Sequence, residues 1–151
     1  MESTRTPVVS GWFTGPGAEG GFRLLGTRCS ACTAVFFPRE DAYCRNPHCP
    51  GGGELAEVPL SPRGRVWSCT DGRYRPPAPY VSDPDVPWEP YTLVAVELET
   101  EGMVVLGQAE PGVTVADLPV GAEVEVVPGV MDGEAGSVRT TWRFRPVGGA
   151  S

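Results

Sequence analysis

Lysine and isoleucine are missing from this 151-residue chain, and His48, Asn46 and Gln108 are the sole examples of their types. The bias resembles that of a GC-rich coding sequence and carries no fold inference. A single histidine does have a chemical consequence, because most protein nucleophiles need a neighbouring base. No run approaches the roughly 18 apolar residues of a membrane-spanning helix. The opening MESTRTPVVSGW has no basic stretch followed by an apolar one, so no secretory signal is expected and a reducing, cytoplasmic setting is. Positive charge is scarce: 12 arginines face 19 acidic residues, and the net charge is -7. Residues 76–138 hold twelve acidic and no basic side chains. Such a chain is a poor partner for a phosphate backbone. The sequence contains no P-loop, triad or open metal site.

What is present points to a small β protein. The length suits one domain, or one small domain carrying a smaller module, and excludes a two-lobed enzyme. Hydrophobic residues at 40% can fill a core, which excludes wholesale disorder. With 20 glycines and 17 prolines, short strands joined by turns are favoured over long helices.

Four of the five cysteines form two close pairs, Cys29-Ser-Ala-Cys32 and Cys44-Arg-Asn-Pro-His-Cys49, with eleven residues between the pairs. A structural zinc site takes four nitrogen or sulfur ligands in a tetrahedron, with sulfur about 2.3 Å from the metal. Two cysteine turns brought face to face by a hairpin supply that geometry, and Thr33–Pro38 can form the first hairpin strand. Structural Zn²⁺ held by Cys29, Cys32, Cys44 and Cys49 is therefore expected. His48 is an alternative to Cys49 as fourth ligand; otherwise it is an exposed turn residue. Such a site is closed and folds its module rather than doing chemistry.

After Gly51–Gly53 the pattern becomes alternating strands. Arg63–Thr70, Tyr91–Leu98, Met103–Gln108, Glu123–Val127 and Ser137–Phe144 are predicted strands, with a turn at Glu101-Gly102 and one helical turn within Val113–Leu118. Thr92, Val94, Val96 and Leu98 share one face, opposite Glu97. The expected fold is mainly β: an N-terminal zinc ribbon followed by a five-stranded OB-type antiparallel barrel. Residues 1–28 form a leader, 29–60 the ribbon and 61–147 the barrel.

The two cysteine pairs, followed by GRVWSCT, PYTLVAVEL and LPVGAEVEVV, resemble a family of acyl-CoA-associated proteins that join a rubredoxin-like zinc ribbon to an OB fold. The resemblance spans about Trp12 to Pro146. It implies a helical hook in the leader, shortened here by glycines. C-x4-C in the second pair and Thr33 in place of a common glycine depart from the family pattern. Members accompany thiolase-fold enzymes acting on acyl-CoA. The resemblance implies a non-catalytic subunit that binds and stabilises such an enzyme in a hetero-oligomer, with two copies of each chain as one arrangement. The preferred case is a steroid side-chain retro-aldolase, since the Arg-only composition resembles actinobacterial sequences. A single-stranded nucleic-acid-binding protein is the alternative, opposed by the charge.

Candidate contacts for CoA phosphates are Arg63, Arg65, Arg73 and Arg75 around the first barrel strand, and Arg139, Arg143 and Arg145 on the last. Cys69 lies in a strand pattern with no histidine to activate it and is read as a core residue. Candidate partner contacts are Trp12, Phe13, Phe22, Leu24 and Leu25 in a leader too Gly-rich to bury them locally. Tyr80 and Trp88, in a proline-rich loop, join them as candidates.

Overall fold

The computed structural model describes residues 5–15, 17, 19–73, 85, 89–132 and 138–147, and among these the regular structure is nine strands and one 3-10 turn. Arg75, Tyr80 and Trp88 lie outside the described residues. Among the described residues no helix is long and apolar enough to cross a membrane.

The ribbon is a three-stranded sheet. Strand β1 (Arg5–Pro7) precedes it, and β2 (Leu25–Cys29), β3 (Val35–Phe36) and β4 (Leu55–Pro59) form it in the order β3-β2-β4. Both pairings are antiparallel, with Thr27 opposite Phe36 and Glu57. The ribbon sheet therefore begins at Leu25, inside the segment assigned above to the leader. Gly26 is required at its centre, because a Cβ there would lie 2.6 Å from the Phe36 carbonyl oxygen and 3.2 Å from Leu60 Cδ2.

The barrel consists of β5 (Arg63–Gly72), β6 (Tyr91–Leu98), β7 (Val104–Ala109), β8 (Glu123–Asp132) and β9 (Val138–Pro146). Neighbours run β9-β7-β6-β5-β8, and β8 pairs again with β9, so the sheet closes on itself. Closure removes the free edges of the five strands. All barrel pairings are antiparallel except β7 with β9, which meet in parallel at Gln108–Arg143 and Ala109–Phe144. The 3-10 turn Val115–Asp117 sits between β7 and β8, with the Thr114 N–H donating to Asp117 Oδ2 at 2.9 Å. It drops Leu118, 1% exposed, into the core.

Two expectations need correction. The leader shows no helical hook among its described residues. It adds β1 in parallel to β9, then folds back through an antiparallel bridge between Phe13 and Leu24. Gly11, Gly20 and Gly21 have φ of 83°, 85° and 85°, a left-handed conformation that breaks any helix. Strand β8 also continues five residues beyond Val127, through Pro128. A proline usually ends a ladder. Here the Val126 N–H donates toward Pro62, so the nitrogen two residues on faces the same side, where β5 no longer pairs with β8. Pro128 therefore costs no bond to β9.

One core serves both modules. Leu24 and Leu60 from the ribbon side and Val66, Val94, Val96, Leu98, Val124 and Phe144 from the barrel belong to the same buried cluster. The Leu60 N–H donates to the Leu24 carbonyl at 2.8 Å, and the next residue, Ser61, donates its N–H to Glu101 Oε2 at 3.0 Å beside the β6–β7 turn. Thr100 closes this junction by donating its N–H to Ser61 Oγ at 3.1 Å. Leu60→Ala, at a fully buried site, should cost about 2–5 kcal/mol. Chemical denaturation should show that loss on a single transition; a stable barrel with only the ribbon lost would contradict the shared core.

Candidate metal centre and its surroundings

Four cysteine sulfurs converge where the two turns meet. The Sγ atoms of Cys29, Cys32, Cys44 and Cys49 all lie within 4.8 Å of one another. Cys29 and Cys49 are 3.8 Å apart, and Cys32 and Cys44 are 3.5 Å apart. Four sulfurs about 2.3 Å from one tetrahedral ion would be separated by about 3.8 Å. The donor set and its size therefore fit zinc. His48 is exposed, and its backbone N–H donates to Asn46 Oδ1 at 3.0 Å. The convergent set contains Cys49 rather than His48.

The two turns are built differently. In the first, the Thr33 N–H donates to the Cys29 carbonyl at 2.9 Å, and Thr33 adopts φ 64°. That is the left-handed region, rare for a β-branched residue. The turn thus needs the backbone that a glycine would supply freely, and threonine occupies it with its hydroxyl donating to the Cys32 carbonyl at 2.6 Å. In the second, the two extra residues of C-x4-C hold an Asn46-centred turn, whose carbonyl accepts the Cys49 N–H at 3.0 Å. The Gly51 N–H donates to Cys49 Sγ at 3.4 Å. Gly53 lets the chain pass the site: a Cβ there would lie 2.6 Å from the Ala31 nitrogen and 3.0 Å from Cys29 Sγ.

The thiols are electrostatically unequal. Cys32 is lowered to about 6, first by a hydrogen bond from the Asn46 side chain and then by the Ala34 backbone. At Cys44 the Asn46 backbone N–H pulls downward, but loss of water and the sulfurs of Cys32, Cys29 and Cys49 outweigh it, pushing the thiol up to about 12. Four thiolates this close repel one another unless a cation sits among them. Bound zinc supplies folding free energy to the ribbon; the residues supply the cage, and every ligand position is a protein sulfur.

Among the described residues, most of the arginine candidates are engaged within the chain, and Arg75 lies outside them. Arg63 pairs with Glu123 at 3.2 Å, Arg73 with Asp71 at 2.9 Å and Arg145 with Glu125 at 2.7 Å. Arg65 stands in register between Glu97 on β6 and Glu123 on β8, and donates to the Gly121 carbonyl at 3.0 Å. The adjoining groove, about 270 Å³, sets Glu97, Glu99 and Glu123 against Arg65 alone, a lining that repels phosphate. Arg143 is held by Gln108 and the Val130 carbonyl, each at 2.6 Å. Arg139 is exposed.

The leader candidates turn inward. Leu24 is 0% exposed and belongs to the core, so it is not a partner contact. Phe13 and Phe22 pack against the core with ring centroids 5.6 Å apart. Trp12 meets Phe37 at 5.5 Å and Trp142 at 6.1 Å. The Leu25 N–H donates to the Trp12 carbonyl at 2.7 Å. The glycines do prevent local burial, but Phe37 from the ribbon and Trp142 from β9 provide the cover. Cys69, half-buried, packs against the core with Sγ 3.6 Å from the Leu118 carbonyl. The parts that Gly53 and Asn46 play in the second cysteine turn, and Trp142 in covering the leader, are not expected from the sequence; the lone Asn before a proline is the available signal for Asn46.

Likenesses to known proteins include a family model, a relative and a solved structure. Residues 22–56 match the ChsH2 rubredoxin-like zinc ribbon domain. A DUF35 domain-containing scaffold protein of Methanocaldococcus jannaschii is 30% identical over 130 residues, 82% of each chain. The solved Ltp2-ChsH2(DUF35) aldolase matches with a TM-score of 0.55 and 25% identity, over 82% of this chain and 84% of that one.

Two measurements check the centre. Metal analysis of purified protein should find one zinc per chain, lost in Cys32→Ser; a folded wild-type protein with less than about half an equivalent would contradict the assignment. Thr33→Gly should relieve the left-handed strain and raise unfolding stability by up to about 1 kcal/mol after the entropy cost of glycine. A lower denaturation midpoint would mean that the threonine hydroxyl outweighs the strain.

Proposed function

The chain belongs to the family of DUF35 domain-containing scaffold proteins, and from that premise we propose that it is a non-catalytic accessory subunit that binds and stabilises a thiolase-fold enzyme acting on acyl-CoA. The preferred enzyme is a steroid side-chain retro-aldolase, a carbon–carbon lyase, in a hetero-oligomer with two copies of each chain. The observation that carries this reading is the likeness to the Ltp2-ChsH2(DUF35) aldolase across both ribbon and barrel, 82% of this chain. The Arg-only composition supports the steroid case.

The side chains support a structural part for this subunit. Four of five cysteines are gathered for metal, and Cys69 packs against the core. Thiolase-type chemistry needs a nucleophile, a base and an oxyanion donor, which the partner would supply. Among the described candidates, exposed Arg139 is the best placed for a direct contribution to CoA binding, since carboxylates already stand beside Arg63, Arg73 and Arg145; Arg75 stays a candidate outside the described residues. Those same pairs weigh against single-stranded nucleic acid as the ligand.

Co-expression with a thiolase-fold subunit from the same source tests the proposal. The two chains should co-elute, and the partner's solubility and acyl-CoA activity should rise severalfold over the partner alone. A partner that is fully soluble and active without this chain would overturn it.

A further inference from the structure

The two cysteine pairs are brought together by different means. Cys29 ends β2, so the ladder to β4 fixes it, with Cys29 opposite Leu55. Cys44 and Cys49 have no such support. Strand β3 contributes only Val35 and Phe36, and among the described residues no strand or helix stands between Phe36 and Leu55.

A buried hydroxyl bridges that gap. Thr27, 1% exposed in the middle of β2, donates its hydroxyl to the Glu40 carbonyl at 2.8 Å and accepts the Glu40 N–H at 2.9 Å. One side chain thus takes both backbone groups of one residue, as a neighbouring strand would. Glu40 passes the hold onward. Its Oε1 accepts the Ala42 N–H at 3.1 Å, and its Oε2 accepts from the guanidinium of Arg45, the residue after Cys44. Hydrogen bonds therefore run from the strand that ends in Cys29 to the turn that begins with Cys44. Arg39 braces the same segment from outside through Asp41 and Glu57, but those carboxylates are exposed, and exposed pairs hold weakly.

Packing alone does not call for threonine at position 27. A valine would fill the same space with no hydroxyl to bury. Removing the hydroxyl leaves two backbone groups of Glu40 for water to satisfy, which requires the segment to move. Groups that orient metal ligands without touching the ion typically change metal affinity by about 10–100-fold. We propose that Thr27, acting through Glu40, is a positioning residue of the metal centre: the clamp sets where the second cysteine turn stands against the first, and so how tightly the four sulfurs hold zinc. This rests on the zinc assignment and is independent of which enzyme the chain accompanies.

Thr27→Val keeps the shape and removes the hydroxyl, whereas Thr27→Ser keeps the hydroxyl and removes a methyl. Zinc affinity of the full chain is measured by competition with a chromophoric chelator, and Co²⁺ loaded in place of zinc reports ligand geometry through its visible absorption bands. Thr27→Val should bind zinc at least about tenfold more weakly, with displaced and weakened Co²⁺ bands, while Thr27→Ser should stay within about threefold of wild type with unchanged bands. A packing role predicts the reverse order, and that result, or wild-type affinity in Thr27→Val, would overturn the proposal. Should Thr27→Val fail to fold in excess zinc, Glu40→Ala decides, because it leaves the buried hydroxyl in place. It should weaken zinc binding by about three- to tenfold; wild-type affinity there would overturn the relay from Thr27 to the cysteine turn.

Discussion

Repulsion among four sulfurs is the constraint on which the rest of the protein depends. Within 4.8 Å of one another, they can all be thiolates only around a cation, and, against the Asn46 backbone N–H, loss of water together with the neighbouring sulfurs pushes the Cys44 thiol up to about 12. The turns that bring them together are held by few contacts of their own: a strained Thr33, an Asn46 turn and a glycine that slips past Cys29. A ribbon of this size buries too little apolar surface to fold unaided, as is usual for short modules. The consequences reach further, because β2 leads directly from Leu24 and β4 leads directly into Leu60, both of which lie in the barrel core. Metal binding at one end is thus coupled through two leucines to packing at the other.

The barrel exterior shows a second economy. Acidic residues dominate the barrel exterior, yet several of the described arginines are spent within the chain: Arg63, Arg65 and Arg145 interleave with Glu97, Glu123 and Glu125 across β6, β5, β8 and β9. Exposed pairs of this kind contribute little stability each. Their effect is to neutralise one side of the barrel. A surface arranged in this way suits protein association better than polyanion capture.

Local pattern made much of this legible. Cysteine spacing identified the metal ligands because a tetrahedral site leaves little freedom in where two turns can stand. Alternation located the barrel strands, and Thr92, Val94, Val96 and Leu98 are buried as the period demands, with Glu97 outside. What escaped was non-local. Pro128 reads as a strand end, and only the absence of β5 beside it makes it harmless. Leu24 and the leader aromatics look unburiable because their cover, Phe37 and Trp142, arrives from elements far along the chain. The arginines look like an anion patch until strand register places a glutamate beside each of Arg63, Arg65 and Arg145. The helical hook came from the resemblance alone, and glycines with positive φ replace it.

Amide hydrogen exchange across the chain, before and after zinc is removed by a chelator, tests most directly the claim that metal and barrel form one folding unit. Protection should fall together in β2 and β4 of the ribbon and in β5 and β6 of the barrel, and return on adding one equivalent of zinc. Full protection retained at Val66, Val94 and Val96 after the ribbon has exchanged would contradict that claim.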